Sequence, residues 1–472
     1  MAIRPVTAPQ TDEDGFDVTV PVIVVGGGAC GSVAALAAQG AGADVLLIEQ
    51  DDRPSGSTGM SQGLVCAAGT RSQAAHGVTD TGDLFYADIM AKTRGLADPV
   101  IARMIANHSG PCLDWLVSEH DLPWELDTGF RAAYGNSVMR VHGWPGHGGT
   151  DMIQLLHQRL AETGIAVLLQ AKLIDIIADP GGQVTGILCE RPDGSRERIG
   201  CGALILASGG FAANRAAVAT HMPEAANARY HGHEGNRGDG LWLGARIGGA
   251  LADMGSYQGY AMLTDPQGIT VPPGFLVEGG IIVNSLGQRF VNEVEDIAGM
   301  VLPVLAQSDG VAWVIFDAGI EARCAHIPEA QALQELGAAR TAETAADLAR
   351  TIGVDPQSLQ SALAEATAAQ LAGHTDRFGR RWGTDRPPSG SLRAFRVVGA
   401  IYHTQGGLQI DGEARVLRED GTDLPNLFAG GGAARSVSGP AHWGYLPAMG
   451  LCAAITLGRV AGLSAARLAG SQ

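Results

Sequence analysis

The run Val22-Ile-Val-Val-Gly-Gly-Gly-Ala-Cys-Gly31, followed by Ser32-Val-Ala-Ala-Leu-Ala-Ala38, restricts the fold more than any other stretch of this 472-residue chain. Its β-branched residues predict a buried strand and its alanine-rich continuation predicts a helix, so the backbone must reverse within a few residues. Glycines at 26, 28 and 31 allow that. The first permits a tight bend, the second lets a pyrophosphate approach bare backbone, and the third lets helix and strand pack closely. Free N–H groups at the helix start, with the helix dipole, favour an anion there. Ala43-Asp-Val-Leu-Leu-Ile48 reads as the next parallel strand, and Glu49 stands where a carboxylate accepts ribose hydroxyls. The expectation is an α/β fold that binds a dinucleotide.

At this length two structural lobes are expected. Lys and Arg total 32 against 49 acids, a formal charge of −17, which excludes nucleic acid and anionic membrane as natural partners. Cysteines at 30, 66, 112, 189, 201, 324 and 452 form no CxxC pair and no metal-ligand spacing. They read as small buried residues in a reducing compartment. The first 17 residues, with Asp12-Glu13-Asp14, lack the pattern of a secretion signal. The apolar run from Leu446 is interrupted by Arg459 and too short to span a bilayer. A soluble, cytoplasmic protein is expected.

Ser55 to Gly63 is a polar, glycine-rich segment offering hydroxyls and amides to a ligand. Residues 83–118 predict two helices divided at Asp98-Pro99. In Met139 to Gly149, His142 and His147 lack a third ligand nearby and read as loop histidines. Thr150 to Leu160 predicts a helix. Strands are expected at Ile165–Leu169, Leu173–Ala178, Gln183–Arg191 and Ser195–Ile199, the last two flanking the turn Pro192-Asp-Gly194. Ala203-Leu-Ile-Leu-Ala-Ser-Gly-Gly-Phe211 predicts a separate buried strand ending in a glycine pair, at the crevice where open α/β sheets bind ligands.

Ala207-Ser-Gly-Gly-Phe-Ala-Ala-Asn214 resembles the ATGGF motif of flavoproteins related to fumarate reductase and succinate dehydrogenase. Further motifs agree in order: Gly238-Asp-Gly-Leu241, Gly249-Ala-Leu-Ala-Asp-Met254, Gly287-Gln-Arg-Phe-Val-Asn-Glu293, His403-Thr-Gln-Gly-Gly407, Pro425-Asn-Leu-Phe-Ala-Gly430 and Leu457-Gly-Arg-Val-Ala-Gly462. The resemblance runs from about residue 18 to 465, and the superfamily includes 3-ketosteroid dehydrogenases, tricarballylate dehydrogenase and urocanate reductase. It implies a discontinuous Rossmann-type FAD-binding domain, residues 18–253 and 397–472, interrupted by an α+β capping domain at 254–396. Within that cap, Ala330 to Leu371 predicts helix broken near Gly353-Val-Asp-Pro356, and His374-Thr-Asp-Arg-Phe-Gly-Arg-Arg-Trp382 reads as a solvated basic loop.

The same resemblance selects FAD over NAD, because the 55–63 loop, Gly209-Gly210 and the 429–452 region surround flavin in related proteins. The implied cofactor contacts are Gly26, Gly28, Ala29, Gly31, Glu49, Gln50, Ser57, Thr58, Gly63, Lys172, Gly209, Gly210, Gly430, Gly431 and Leu446. Only one ADP-binding turn is evident, so electrons are expected to pass through a separate carrier. Gly430-Gly431 replaces the family's usual Gly-Glu, and Ser57 stands where relatives with covalent flavin have histidine. Non-covalent FAD is expected.

Fumarate reductases hold two substrate carboxylates with two histidines and an arginine, and deliver a proton from a second arginine. In this sequence those positions fall on Tyr260, Tyr402 beside His403, Tyr445, and Ile297. A phenol offers one neutral donor suited to a carbonyl, whereas a guanidinium grips carboxylate with two bonds. The expected activity is therefore ketosteroid-dehydrogenase-like α,β-dehydrogenation of a small carbonyl compound, or enone reduction. Tyr260 or Tyr402 would polarise the carbonyl, and Tyr445, aided by His403, would take the α proton. Two alternatives remain: a fumarate-reductase-like enzyme for an unsaturated acid held by residues such as Arg140 or His142, and a non-catalytic electron-transfer or sensor flavoprotein.

Overall fold

The computed structural model describes residues 15–144, 148–296, 298–383 and 385–470. The opening run forms strand β1 (Val18–Val25), the turn, and helix α1 (Ala29–Gly40), which returns to strand β2 (Val45–Ile48). β1 and β2 are parallel, with Val22 opposite Val45 and Val25 opposite Ile48. Val22, Ile23 and Val24 are wholly buried because β1 is central, with neighbours on both edges.

Two compact units divide the chain. The first comprises residues 1–222, 232–257 and 403–472. Its main sheet runs in the order Arg415–Leu417, Asp423–Ala429, Arg196–Leu206, β1, β2, Ala166–Leu168, and the hairpin Lys172–Ala178/Val184–Glu190 is attached to Arg196–Leu206. All the ladders between Asp423–Ala429 and Ala166–Leu168 are parallel, as a dinucleotide fold requires.

The strands expected at Ser195–Ile199 and from Ala203 are one strand, Arg196–Leu206. Its first half pairs antiparallel with Val184–Glu190 and its second half parallel with β1. Gly200, which looks like a break in the sequence, is small for a packing reason: a Cβ there would lie 2.6 Å from Thr19 Oγ1 and 2.9 Å from the Phe16 ring.

Helices Gly82–Lys92 and Pro99–His120 part where expected. Asp98 caps the second, accepting the Val100 and Ile101 N–H groups, and Pro99 occupies the first helical position. Met449–Ala469 is long and apolar enough to cross a membrane, but 72% of its apolar window is buried within the fold. Its Gly458 and Gly462 lie on the Cys30 and Ala34 carbonyls of α1, where a Cβ would come within 2.3 and 2.2 Å of the oxygens.

The second unit comprises residues 223–231 and 258–402. The sequence reading set the borders of the cap at 254 and 396; the compact unit has them after Tyr257 and Tyr402, and adds 223–231. The long strand Leu392–Thr404 accounts for this. It pairs with Val311–Asp317 up to Val398 and then, at Ala400 and Ile401, with the short parallel strand Arg229–Tyr230.

Two expectations for this unit need correction. The alanine-rich stretch is not helix throughout: Arg340–Ala342 is a strand paired with residues 392–394, between helices Pro328–Glu335 and Ala345–Ile352. The His374–Trp382 loop is solvated only in part: His374, Thr375, Arg377, Gly379 and Arg381 are exposed. Arg380 and Trp382 are buried, with the Arg380 guanidinium stacked 3.7 Å over the Trp382 ring. Arg380 donates to Glu293 and to the Gly280 and Leu276 carbonyls, while Asp376 and Glu293 together hold Arg289. The loop closes an ionic centre that no local charge count announces.

Candidate active site

In the first unit, Gly26 adopts φ +107°, and a Cβ there would sit 2.5 Å from the Ala207 carbonyl oxygen. Only glycine fits that left-handed, crowded position. Gly31 faces the Gly26 oxygen so closely that a Cβ would overlap it, at 1.8 Å. Glu49 accepts Gly27 N–H at 2.7 Å and Asp51 N–H at 3.0 Å. It thus braces the turn, and each oxygen keeps a second lone pair for a ribose hydroxyl. Thr58 Oγ1 accepts Ala29 N–H at 2.9 Å, and Ser57 Oγ accepts from Asn236 Nδ2 at 2.6 Å.

Two other glycine segments meet this turn. Gly209 (φ +78°) and Gly210 follow the strand Arg196–Leu206, and a side chain at 210 would strike Thr404 Oγ1 at 2.0 Å. Gly430 lies against Cys30, its Cβ position 2.7 Å from Sγ, and Gly431 (φ +58°) abuts the same residue. Gly432, which the sequence reading passed over, packs on the Gly210 amide. Main chain left bare from three directions at the carboxyl ends of parallel strands fits a dinucleotide with a diphosphate and a flat ring system. The left-handed backbone and Cys30 together also account for a glycine at 431 in place of an acid.

The remaining expected cofactor residues are more dispersed. Gln50 sits beside Gly235, and Gly63 (φ +70°) accepts Trp124 Nε1–H at 2.9 Å. Leu446 is buried against Gly135. Lys172 is half exposed and faces Asp239 at 3.7 Å.

His403 and Tyr445 come together around Gly450, near the start of the helix Met449–Ala469. Their rings are 5.7 Å apart, edge to face. A Cβ on Gly450 would lie 2.8 Å from His403 Nε2 and 3.4 Å from Tyr445 Oη, so glycine is what lets both approach. Gly450 N–H donates to Tyr445 Oη at 3.2 Å, leaving the phenol's own proton to give away.

Behind the imidazole, Gln405 Nε2 is 3.0 Å from His403 Nδ1, and Gln405 Oε1 accepts from Ser438 Oγ at 2.8 Å. Ser438 orients the amide, the amide donates to Nδ1, and the imidazole proton is held on Nε2. The longer 3.3 Å approach of Nδ1 to the Thr404 carbonyl is subordinate. Gln405, Ser438 and Gly450 were not singled out in the sequence, where only the Gln405 motif position hinted at a role.

Electrostatics revise the roles expected of this pair. Burial pushes His403 down to about 4, so it is neutral at physiological pH. Burial raises the Tyr445 phenol above its ordinary value, with the Gly450 N–H pulling the other way. His403 therefore supplies no positive charge, and Tyr445 holds its proton. Tyr445 is suited to donate a hydrogen bond, not to act as the resting base.

In the second unit, Tyr260 and Tyr402 stack with centroids 5.2 Å apart, and His231 lies 5.2 Å from Tyr402. Tyr260 donates to the Val271 carbonyl at 2.7 Å, and Tyr402 is hydrogen-bonded to Thr270 Oγ1. Burial raises the Tyr402 phenol as well, ahead of the opposing Thr270 bond.

Arg140 and His142, the candidate carboxylate anchors, have their polar atoms engaged within the protein. Arg140 is buried with Nε and Nη2 on Asp80 at 2.8 and 2.9 Å, and Nη1 on Asp88 at 2.7 Å and Asn136 at 2.8 Å. His142 bridges Thr70 Oγ1 at 2.8 Å and the Arg140 carbonyl at 2.9 Å, and burial lowers it to about 4. His147 and Ile297 lie outside the described residues. No group of three or more metal-ligating side chains occurs among the described residues.

A glycine-lined cradle suited to a diphosphate, at the carboxyl ends of parallel strands, marks a dinucleotide-binding enzyme. Residues 21–445 match the family described as FAD binding domain, and the chain belongs to that family. It is an FAD-dependent enzyme acting on carbon–carbon bonds. It is 31% identical over 452 residues to "Fumarate reductase (cytochrome)" of Shewanella frigidimarina, which covers 95% of this chain and 77% of that one. Among solved structures, the open conformation of a flavocytochrome c3 fumarate reductase superposes with a TM-score of 0.81 at 26% identity, covering 96% of this chain and 79% of that chain. A 3-ketosteroid-Δ4-(5α)-dehydrogenase from Rhodococcus jostii RHA1, in complex with 4-androstene-3,17-dione, gives 0.79 at 25% identity, covering 98% and 100%.

Proposed function

We propose that the enzyme interconverts a carbon–carbon single bond and a double bond conjugated to a carbonyl, on an uncharged substrate whose carbonyl oxygen is held by Tyr445. FAD supplies the hydride acceptor in one direction and the hydride donor in the other. The observation that supports this reading is the neutrality of the His403–Tyr445–Gly450 group. A neutral carbonyl gains a hydrogen bond from a phenol, whereas a carboxylate buried without a cation costs several kcal/mol or more. In the oxidative direction the Tyr445 O–H polarises the carbonyl and acidifies the α carbon, whose proton passes to water as the β hydrogen leaves as hydride; in the reductive direction hydride returns to the β carbon, the same O–H steadies charge developing on oxygen, and water returns the proton to the α carbon. His403, fixed by Gln405, keeps an Nε2–H on the same side.

A second reading, reduction of an unsaturated carboxylic acid, is favoured by the 31% identity to a fumarate reductase. Anaerobically reduced enzyme mixed with cyclic enones, steroid enones, fumarate and urocanate, scored by return of the flavin absorbance, separates the two. Neutral enones should reoxidise the flavin and dicarboxylates should not; the reverse pattern overturns the proposal. Tyr445→Phe should slow the productive half-reaction by roughly 10²- to 10³-fold. Because Ser57 offers no attachment point, acid precipitation should leave FAD in the supernatant, and flavin in the pellet would refute non-covalent binding. The seven cysteines, all free and buried, support placement in the reducing cytoplasm, and electron exchange with a separate carrier completes the cycle.

A further inference from the structure

We propose that His157 is a positioning residue for the FAD diphosphate, acting through the Gly27–Gly28 peptide. His157 belongs to the helix Gly149–Glu162, and its Nε2 lies 2.7 Å from the Gly27 carbonyl oxygen. A carbonyl oxygen can only accept, so the proton of this bond sits on Nε2. Ser32 Oγ donates to the same oxygen at 3.1 Å. In a planar trans peptide the C=O of Gly27 and the N–H of Gly28 point in opposite directions. Two donors that draw the oxygen to one side therefore aim the Gly28 N–H to the other.

The preceding peptide is fixed in the complementary sense. Gly27 N–H is held by Glu49 at 2.7 Å, and the Gly26 oxygen is turned against Gly31. Residue 27 is closed in, since a Cβ would meet Glu49 Oε2 at 3.2 Å and both His157 Cε1 and Pro54 Cβ at 3.3 Å. Gly28 caps α1, and its N–H has no partner among the described residues. It is the donor that a phosphate oxygen at this helix start would use. His157 thus prepares the donor before any cofactor arrives. The inference rests on the dinucleotide fold and not on the proposed carbonyl substrate.

The test uses full-length protein freed of FAD, with FAD, ADP and adenosine as probes. His157→Leu should weaken FAD and ADP alike by about tenfold, in keeping with loss of one hydrogen bond, and leave adenosine binding unchanged. His157→Gln, whose amide N–H reaches the place of Nε2, should return FAD to within about threefold of the parent. The phosphorus resonances of bound FAD should shift in the leucine variant and stay in place in the glutamine variant. Equal loss for adenosine, unchanged FAD affinity, or failure of glutamine to rescue would overturn the proposal. Should the leucine variant not fold, Ser32→Ala removes the other donor to the same oxygen, and must likewise weaken ADP while sparing adenosine.

Discussion

The molecule buries its charges and its candidate chemistry in opposite ways. Arg140 is enclosed by Asp80, Asp88 and Asn136, every nitrogen engaged. Tyr445 is buried and His403 partly so, yet both are neutral, and their hydrogen bonds run to an amide, a backbone carbonyl and a backbone N–H. The contrast shows that an arginine near the right stretch of sequence is no evidence of an anion site. A guanidinium with its donors satisfied is framework, while a phenol with a proton to spare can meet a substrate.

Removing the cation is the harshest way to probe that contrast. Arg140→Met should cost about 3–5 kcal/mol in unfolding experiments, because Asp80 and Asp88 are left buried without compensation. Flavin reoxidation by substrate should be unaltered in the protein that remains folded. Were Arg140 an anchor, the loss would instead fall on substrate affinity.

Acidification probes the neutral side. His142 and His403 are both lowered to about 4 by burial, against about 6.5 in an unfolded chain. Between those values the unfolded state binds more protons, so stability rises from pH 4 to 6.5 and is flat above, by about 3 kcal/mol for each histidine. Denaturant midpoints across this range should show the rise, and His403→Gln should remove about half of it. A fall in stability over the same interval would contradict the assignment of neutral imidazoles.

The mildest probe is the residue behind the imidazole. Gln405→Leu should cost about 1 kcal/mol, read as a fivefold to tenfold slower single turnover with substrate affinity nearly unchanged. A change confined to substrate affinity would place Gln405 in binding and not in orienting His403.

What could be read from the sequence follows from how local each feature is. The turn at 26–31, the cap at Asp98-Pro99 and the glycine pair at 209–210 depend on backbone conformations set by a few neighbouring residues, and all appear where their residue types require. The strand Arg340–Ala342 has no local signal, since it exists only through pairing with residues 392–394. Arg380 looked solvated because its partner Glu293 is 87 positions away. Tyr445 and His403 are legible as candidate positions but not in their protonation states. Those depend on burial and on Gly450, which only the assembled fold supplies.

The closing helix, Met449–Ala469, begins beside the phenol and, two turns on, rests its Gly458 directly on the first turn of α1. One rigid rod therefore joins the nucleotide turn to the phenol for which a grip on the reactant is proposed. A bulkier residue at Gly458 would tilt that rod, and both properties would drift in concert. Attempts to retune selectivity through this helix will be read out first as altered hold on the yellow prosthetic group.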